Sequence, residues 1–281
     1  MNLASTLVEL VSAASRYQQL PPIAHLHVPP PIETTGRHKK FGMIALADGS
    51  CGFFYTRFDN TLERLLACDP AQVVAKPVLE VAAGFRDSDP LTKALGLGAL
   101  NALGQHLLQA GGYRLDHTTD PLGQLDLDRG RHVGMVGFFP PLVELLQQRG
   151  TALTVIEKDT QFLVEQGNFT VTLDPAHLAG CDRVLVTGST LMNDTLDGVL
   201  ACCDNNARVA LIGPTAACLP DPLFERGVDV VGSSTVLDLA CLRPRLEMGE
   251  SWGDAVTKYC ICREDYPGIH HLLAGDWAAG A

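Results

Sequence analysis

Apolar and polar positions along this chain follow two rhythms, and the clearest change between them lies at residues 132–159. Residues 133–137 form a short apolar run ending in glycine. Pro140 and Pro141 follow where a helix can begin without losing a hydrogen bond, since the first N–H groups of a helix have no partner within it. The spacing predicts a helix from there to about Arg149, Gly150 as a left-handed cap, and a β-branched strand over 151–156. This is a βαβ unit, the opening half of a Rossmann-like sheet. The alternation continues with helices over 160–166, 195–203 and 222–226 and strands over 183–187, 208–212 and 228–231. Short apolar strands between helices predict a mostly parallel sheet covered by helices on both faces.

The first half reads differently. Leu3, Leu7, Leu10, Val11, Ala14 and Tyr17 share one helical face, so an amphipathic helix is expected over the first twenty residues, stopped by Pro21 and Pro22. Residues 23–31 should be extended, with His25 and His27 on one side; without a nearby Cys or acid they read as solvated histidines rather than half a metal site. Strands over 41–46 and 51–55 flank Asp48-Gly49, which predicts a type I′ hairpin with positive φ at both turn positions. Asn60 is expected to cap a helix, with Glu63 reaching back. Pro90 opens a longer helix to about Ala110, closed by Gly111-Gly112. Its internal Gly96, Gly98 and Gly104 each cost about 1 kcal/mol of helix propensity relative to Ala, which predicts close approach of another backbone. Asn101, the amide within that smooth stretch, either satisfies a neighbouring loop or points into a cleft.

Polar residues around Pro121 and Gly123, among them Asp116, Asp120, Asp126 and Asp128, mark a linker. The expected division is an N-terminal α+β domain over 1–128 and a Rossmann-like ligand-binding domain over 129–281. A length of 281 residues suits two domains, and 46% hydrophobic with 19% charged residues is the make-up of an ordinary globular protein. A net charge of −11 argues against nucleic acid as partner. With 11 basic and 19 acidic residues after Asp128, the second half carries most of that charge and suits a cationic or metal-containing ligand. No run approaches a membrane span, and nine irregularly spaced cysteines fit reduced thiols, so a cytoplasmic location without membrane association is expected. The small-residue helix leaves room for a homodimer.

In an open α/β sheet, ligands bind beyond the carboxyl ends of the strands. Four loops qualify here. The first, Gly137-Phe138-Phe139-Pro140-Pro141, leads into a helix N-terminus suited to an anion, but Gly134, Gly137 and then Pro140 do not make G-x-G-x-x-G, which argues against NAD. Glu157, about twenty residues on, stands where a dinucleotide fold places its ribose carboxylate. Thr187-Gly188-Ser189, followed by Asn193 and Asp194, could hold a phosphate or carboxylate, or could cap the next helix. Gly213-Pro214-Thr215 and then Gly232-Ser233-Ser234-Thr235 complete the edge.

GMVGFFPPLVELL, VLVTGSTLMNDTLDGVL and VALIGPTAACLPDPLFERGVDVVG resemble a domain-of-unknown-function family described by heavy-metal chelation, and ALADGSCG and ALGLGALNAL resemble its companion N-terminal domain. The resemblance implies an N-terminal domain similar to the enolase N-terminal fold, a Rossmann-like C-terminal domain, and a ligand cleft between them. That cleft would be lined by Phe138, Pro140, Thr187, Ser189, Asn193, Gly213 and Thr215, with Asn101 from the first domain. It implies a protein that binds or chelates a transition metal or metal complex. Spacing alone assembles no metal site: Cys260 and Cys262 alternate, Cys202-Cys203 and His270-His271 are adjacent pairs, and there is no C-x-x-C. The alternative is an enzyme acting with an adenosine-containing ligand on Glu157. No G-x-S-x-G elbow supports a serine nucleophile, and whether any reaction is catalysed stays open.

Overall fold

The computed structural model describes residues 2–31, 40–117, 124–125 and 130–274. It is an α/β structure with two sheets. The smaller sheet is antiparallel, in the order β1 (Ile23–His27), β2 (Phe41–Leu46), β3 (Cys51–Tyr55). The larger has eight strands in the order β11-β10-β9-β8-β4-β5-β7-β6. Its strands are β4 (His132–Val136), β5 (Ala152–Ile156), β6 (Val164–Gln166), β7 (Phe169–Thr172), β8 (Arg183–Thr187), β9 (Arg208–Ile212), β10 (Val230–Val236) and β11 (Val256–Cys262). The six inner strands are parallel, while β11 and β6 close the two edges antiparallel.

The βαβ unit forms as its pattern predicts, with helix Pro140–Gln148 between β4 and β5 and Gly150 left-handed at φ 69°. Two elements differ from expectation. Residues 160–166 are not a helix: a single 3-10 turn, Thr160–Phe162, leads into β6, which turns back at left-handed Gly167 onto β7. Phe162, Leu163 and Val164 are exposed there, so no core holds a helical face. The Asp48 hairpin closes through Leu46 and Ser50 with Gly49 alone at positive φ. Asp48 instead accepts both the N–H and the hydroxyl of Ser50, a three-residue loop rather than a type I′ turn.

Smaller corrections follow the same logic. Helix α1 (Leu3–Ala14) buries Leu3, Leu7, Val11 and Ala14, but ends before Tyr17, which is exposed. Asn60 precedes helix α2 (Thr61–Ala67) without a side-chain cap bond. Strand β10 (Val230–Val236) runs on through Gly232, Ser233, Ser234 and Thr235, read from sequence as a loop. His27 is buried, not solvated. The linker at 118–123 and 126–129 lies outside the described residues.

After the short helices α3 (Pro70–Val74) and α4 (Val78–Ala83), helix α5 (Pro90–Ala110) runs between the two sheets, buried for most of its length. Asp89 caps it by accepting the Thr92 N–H. Its glycines serve the predicted close approach. A Cβ on Gly104 would lie 2.5 Å from the Ala217 carbonyl oxygen, and one on Gly96 2.2 Å from the Phe85 nitrogen. One buried cluster accordingly runs from α1 and α5 into β8, β9 and β10.

Candidate functional site

The strand order reverses between β4 and β8, where the fold exposes its carboxyl edge to ligands. A cleft of about 540 Å³ opens on that edge, displaced toward β9, β10 and β11. Phe139, Pro141 and Leu142 after β4 form one wall, and Ile212 to Pro214 after β9 form part of the floor. Gly232 to Ser234 and Val256 to Lys258 add the paired strands β10 and β11. Phe41 of β2 and Trp252 complete the lining, so both sheets contribute.

Trp252 is set by packing. One ring face stacks on Phe53 at 4.4 Å and 12°, and Phe41 meets it edge-on at 5.7 Å. The Trp252 carbonyl accepts from the Arg245 guanidinium at 3.0 Å, and Arg245 also pairs with Asp254. These contacts fix the ring before any ligand arrives.

A polar stripe on α5 positions the other side. Lys93 pairs with Asp194 in the loop after β8. Two turns on, Asn101 Nδ2 donates to the Phe53 carbonyl at 2.7 Å and the Thr215 carbonyl at 3.0 Å, tying β3 to the loop after β9. Gln105 Nε2 donates to the Tyr259 hydroxyl at 2.8 Å, and Tyr259 also bonds Ser233, whose hydroxyl donates to the Gly213 carbonyl at 3.0 Å. The cleft floor therefore hangs from one buried helix. Asn101→Leu, which leaves two buried carbonyls unpaired, is expected to lower stability by about 2 kcal/mol or more, read as a urea midpoint shift.

Of the residues singled out from sequence, Gly213, Pro214, Gly232, Ser233 and Ser234 line this cleft. Phe138 and Pro140 sit beside it, while their neighbours Phe139 and Pro141 form the wall. Phe138 stacks on Phe162 at 5.4 Å, and its N–H donates to Glu157 Oε1 at 2.7 Å. The second Glu157 oxygen accepts the Lys158 N–H, so this carboxylate anchors the loop after β4. In the loop after β8 the polar groups serve one another: Thr187 Oγ1 accepts from Ser189, the Thr190 hydroxyl donates to the Thr187 carbonyl, and Asn193 Oδ1 accepts from Thr195. Gly188 packs so closely on Thr215 that a Cβ would lie 2.6 Å from its hydroxyl oxygen. Thr187, Gly188, Ser189, Asn193, Thr215 and Asn101 thus lie behind or beside the cleft lining. Sequence reasoning missed Phe41, Trp252 and Lys258. A tryptophan alone in the polar stretch 249–254 was the available signal.

Among the described residues, no three His, Cys, Asp or Glu side chains converge in a set that could hold a metal ion. Five of the thiols are held protonated in the metal-free chain, whereas metals bind thiolates. Burial above all pushes Cys51, Cys181 and Cys218 up to about 12 and Cys203 and Cys262 up to about 11. Cys260 and Cys262 do share one side of β11, and that side is core.

Fold and cleft together define an α/β protein in which a small antiparallel sheet and a buried helix close over the carboxyl edge of a larger, mostly parallel sheet. The chain belongs to the DUF364 family, described as "Putative heavy-metal chelation", whose pattern matches residues 120–261; a second pattern of the same description, DUF4213, matches 37–104. An uncharacterized protein of Methanocaldococcus jannaschii is 28% identical over 153 residues, which are 54% of this chain and 57% of that protein. The chain thus spans little more than half the length of that relative. Crystal structures of two DUF364 proteins of unknown function share the fold. The one from Pyrococcus horikoshii has a TM-score of 0.65 at 18% identity, covering 91% of this chain and 99% of that one. The one from Desulfitobacterium hafniense has 0.64 at 21%, covering 92% and 99%. Among the described residues no helix is long and apolar enough to cross a membrane.

Proposed function

We propose that this protein binds a small organic molecule in the cleft between its two sheets, and that any metal arrives as part of that molecule. The observation that carries this reading is the cleft itself. It stands where α/β sheets bind ligands, its volume suits a small molecule, and its walls are apolar side chains interrupted by a few hydroxyls and glycine backbone. A bare ion needs converging carboxylate, imidazole or thiolate donors, and the described lining supplies none. The residues therefore do not fit a protein-held metal at this place.

Glu157 supports the adenosine reading poorly, because both its oxygens already accept backbone N–H groups. Native mass spectrometry of freshly purified protein, with elemental analysis of the same sample, tests the proposal. The expected result is an organic mass released on denaturation, with any metal leaving alongside it. Stoichiometric metal without an organic mass would sink it.

A further inference from the structure

A second cavity, of about 610 Å³, lies where the Asp48 hairpin, the C-terminal turn of α5 and the end of β10 meet. Gln105 lines it and is 7% exposed. A chain of protons fixes the orientation of its amide. Ser233 gives its one hydroxyl proton to the Gly213 carbonyl, so Tyr259 donates to Ser233 and accepts from Gln105 Nε2. The amide oxygen is thereby turned away from Tyr259, and among the described residues Gln105 Oε1 accepts no hydrogen bond. A nearly buried acceptor left open on a cavity calls for a donor from outside the chain.

The electrostatics of the cavity select the kind of donor. No Lys or Arg lines it. Against the cost of burial, hydrogen bonds from His106 and Ser50 hold Asp48 below the usual carboxylate range. Its oxygens are engaged, Oδ1 with the Ser50 N–H at 3.0 Å, Oδ2 with the Ser50 hydroxyl at 2.9 Å and His106 Nδ1 at 2.7 Å. Asp48 therefore faces the cavity as a fixed negative charge, not as a free hydrogen-bond partner. Burial above all pushes the Cys51 thiol and the Tyr113 hydroxyl up to about 12, so both stay neutral, and His117 stands at the exposed rim. The last turn of α5, with Leu108 and Gln109, adds the negative end of the helix dipole. Leu108, Val236 and Leu239 make the rest apolar, and beside them Leu237 is 60% exposed.

From this arrangement we infer that the cavity binds an organic ammonium ion, with an N–H donated to Gln105 Oε1, the charge held in the field of Asp48, and a small apolar body covering Leu237. A neutral donor makes the same contact, but only the ammonium gains a charge-assisted bond in a negative potential. A bare metal ion lacks its ligand set, since among the described residues no three His, Cys, Asp or Glu side chains converge. The site is separate from the cleft between the sheets, and its failure leaves the role proposed there untouched.

Three probes with one body and different heads separate these effects: cyclohexylmethylammonium, cyclohexylmethanol and cyclohexanecarboxylate, at pH 7, where an alkylammonium keeps its proton. Binding to the full chain is followed through the side-chain amide resonances of Gln105 in nitrogen-15 spectra, assigned by their loss in Gln105→Met. The expected result is saturable movement with the ammonium, about tenfold or more weaker binding of the alcohol, and the carboxylate weakest. Asp48→Asn should bring ammonium and alcohol within about threefold. Leu237→Ala, at an exposed position that the fold does not need, should weaken ammonium and alcohol alike by about threefold. Alcohol or carboxylate binding as tightly as the ammonium would overturn the assignment, as would a preference that survives Asp48→Asn or full affinity in Leu237→Ala. Failure of the ammonium to move the Gln105 signals would remove the site. The same saturable movement with magnesium chloride alone would overturn the organic ligand in favour of an inorganic cation.

Discussion

A Gly52→Ala protein is expected to lose its stable fold, seen as loss of soluble protein or as a fall in the urea midpoint equivalent to about 3 kcal/mol or more. The added methyl would lie 2.1 Å from the Gly98 carbonyl oxygen, 2.3 Å from the Ala102 nitrogen and 2.8 Å from the Asn101 Cβ. Two of these are backbone atoms of α5, and the helix cannot retreat. On its other flanks, Gly96 lies against the Phe85 backbone and Gly104 against the Ala217 carbonyl. Displacing α5 would also pull Asn101 from the Phe53 and Thr215 carbonyls. Gly198 is the matched control, since it lies in the short helix Leu196–Leu200 and a Cβ there meets nothing within 4 Å. Gly198→Ala should be neutral or stabilising by up to about 1 kcal/mol. Equal behaviour of the two variants would show that backbone contact is not what limits this helix.

The second large effect is acid lability above the carboxylate range. Burial first, and the neighbouring His25 second, lower the His27 pKa from 6.5 to about 4. The unfolded chain therefore takes up a proton at this residue while the folded chain still excludes it. Stability is complete above pH 6.5, falls as the pH drops toward 4, and levels off below that. The loss is about 3 kcal/mol, at ~1.4 kcal/mol for each tenfold difference in proton affinity. His25 is lowered too, by burial and by Arg243, and adds to the same window. Asp48 and Asp182, held below the usual carboxylate range by the hydrogen bonds they accept against the cost of burial, act at lower pH. Urea midpoints at pH 7 and pH 4.5 should differ strongly for the natural chain and much less for His27→Gln. An unchanged difference would mean that His27 is not the group responsible.

Much of the second half was legible because its signals are local. Gly137, Pro140, Pro141 and Gly150 punctuate the βαβ unit by backbone conformation alone, and the strands at 183–187 and 208–212 are too short and apolar to mistake. The small residues of α5 announced close packing, although not against what. The errors arose where tertiary contacts decide. Residues 164–166 form a strand because β7 offers an edge, and nothing in their own sequence demands it. The loop after β8 looked rich in ligand donors, but its hydroxyls close a turn, and the same residue types serve both purposes. The cleft wall draws on Phe41, Phe139, Trp252 and Lys258, more than two hundred residues apart at the extremes, and only the sheet order unites them.

Helix α5 has one more consequence. It touches β3 on one side and, through Asn101 and Gln105, the floor of the cleft on the other, so the two walls belong to one packed body rather than to lobes that swing on a linker. Closure around a ligand would have to tear buried amides from their partners. Entry instead falls to rotamer changes at the rim, and the ordering entropy of the opening has already been spent in folding. Such a cleft discriminates by shape and charge at first contact, with little capacity to mould itself around a poor fit.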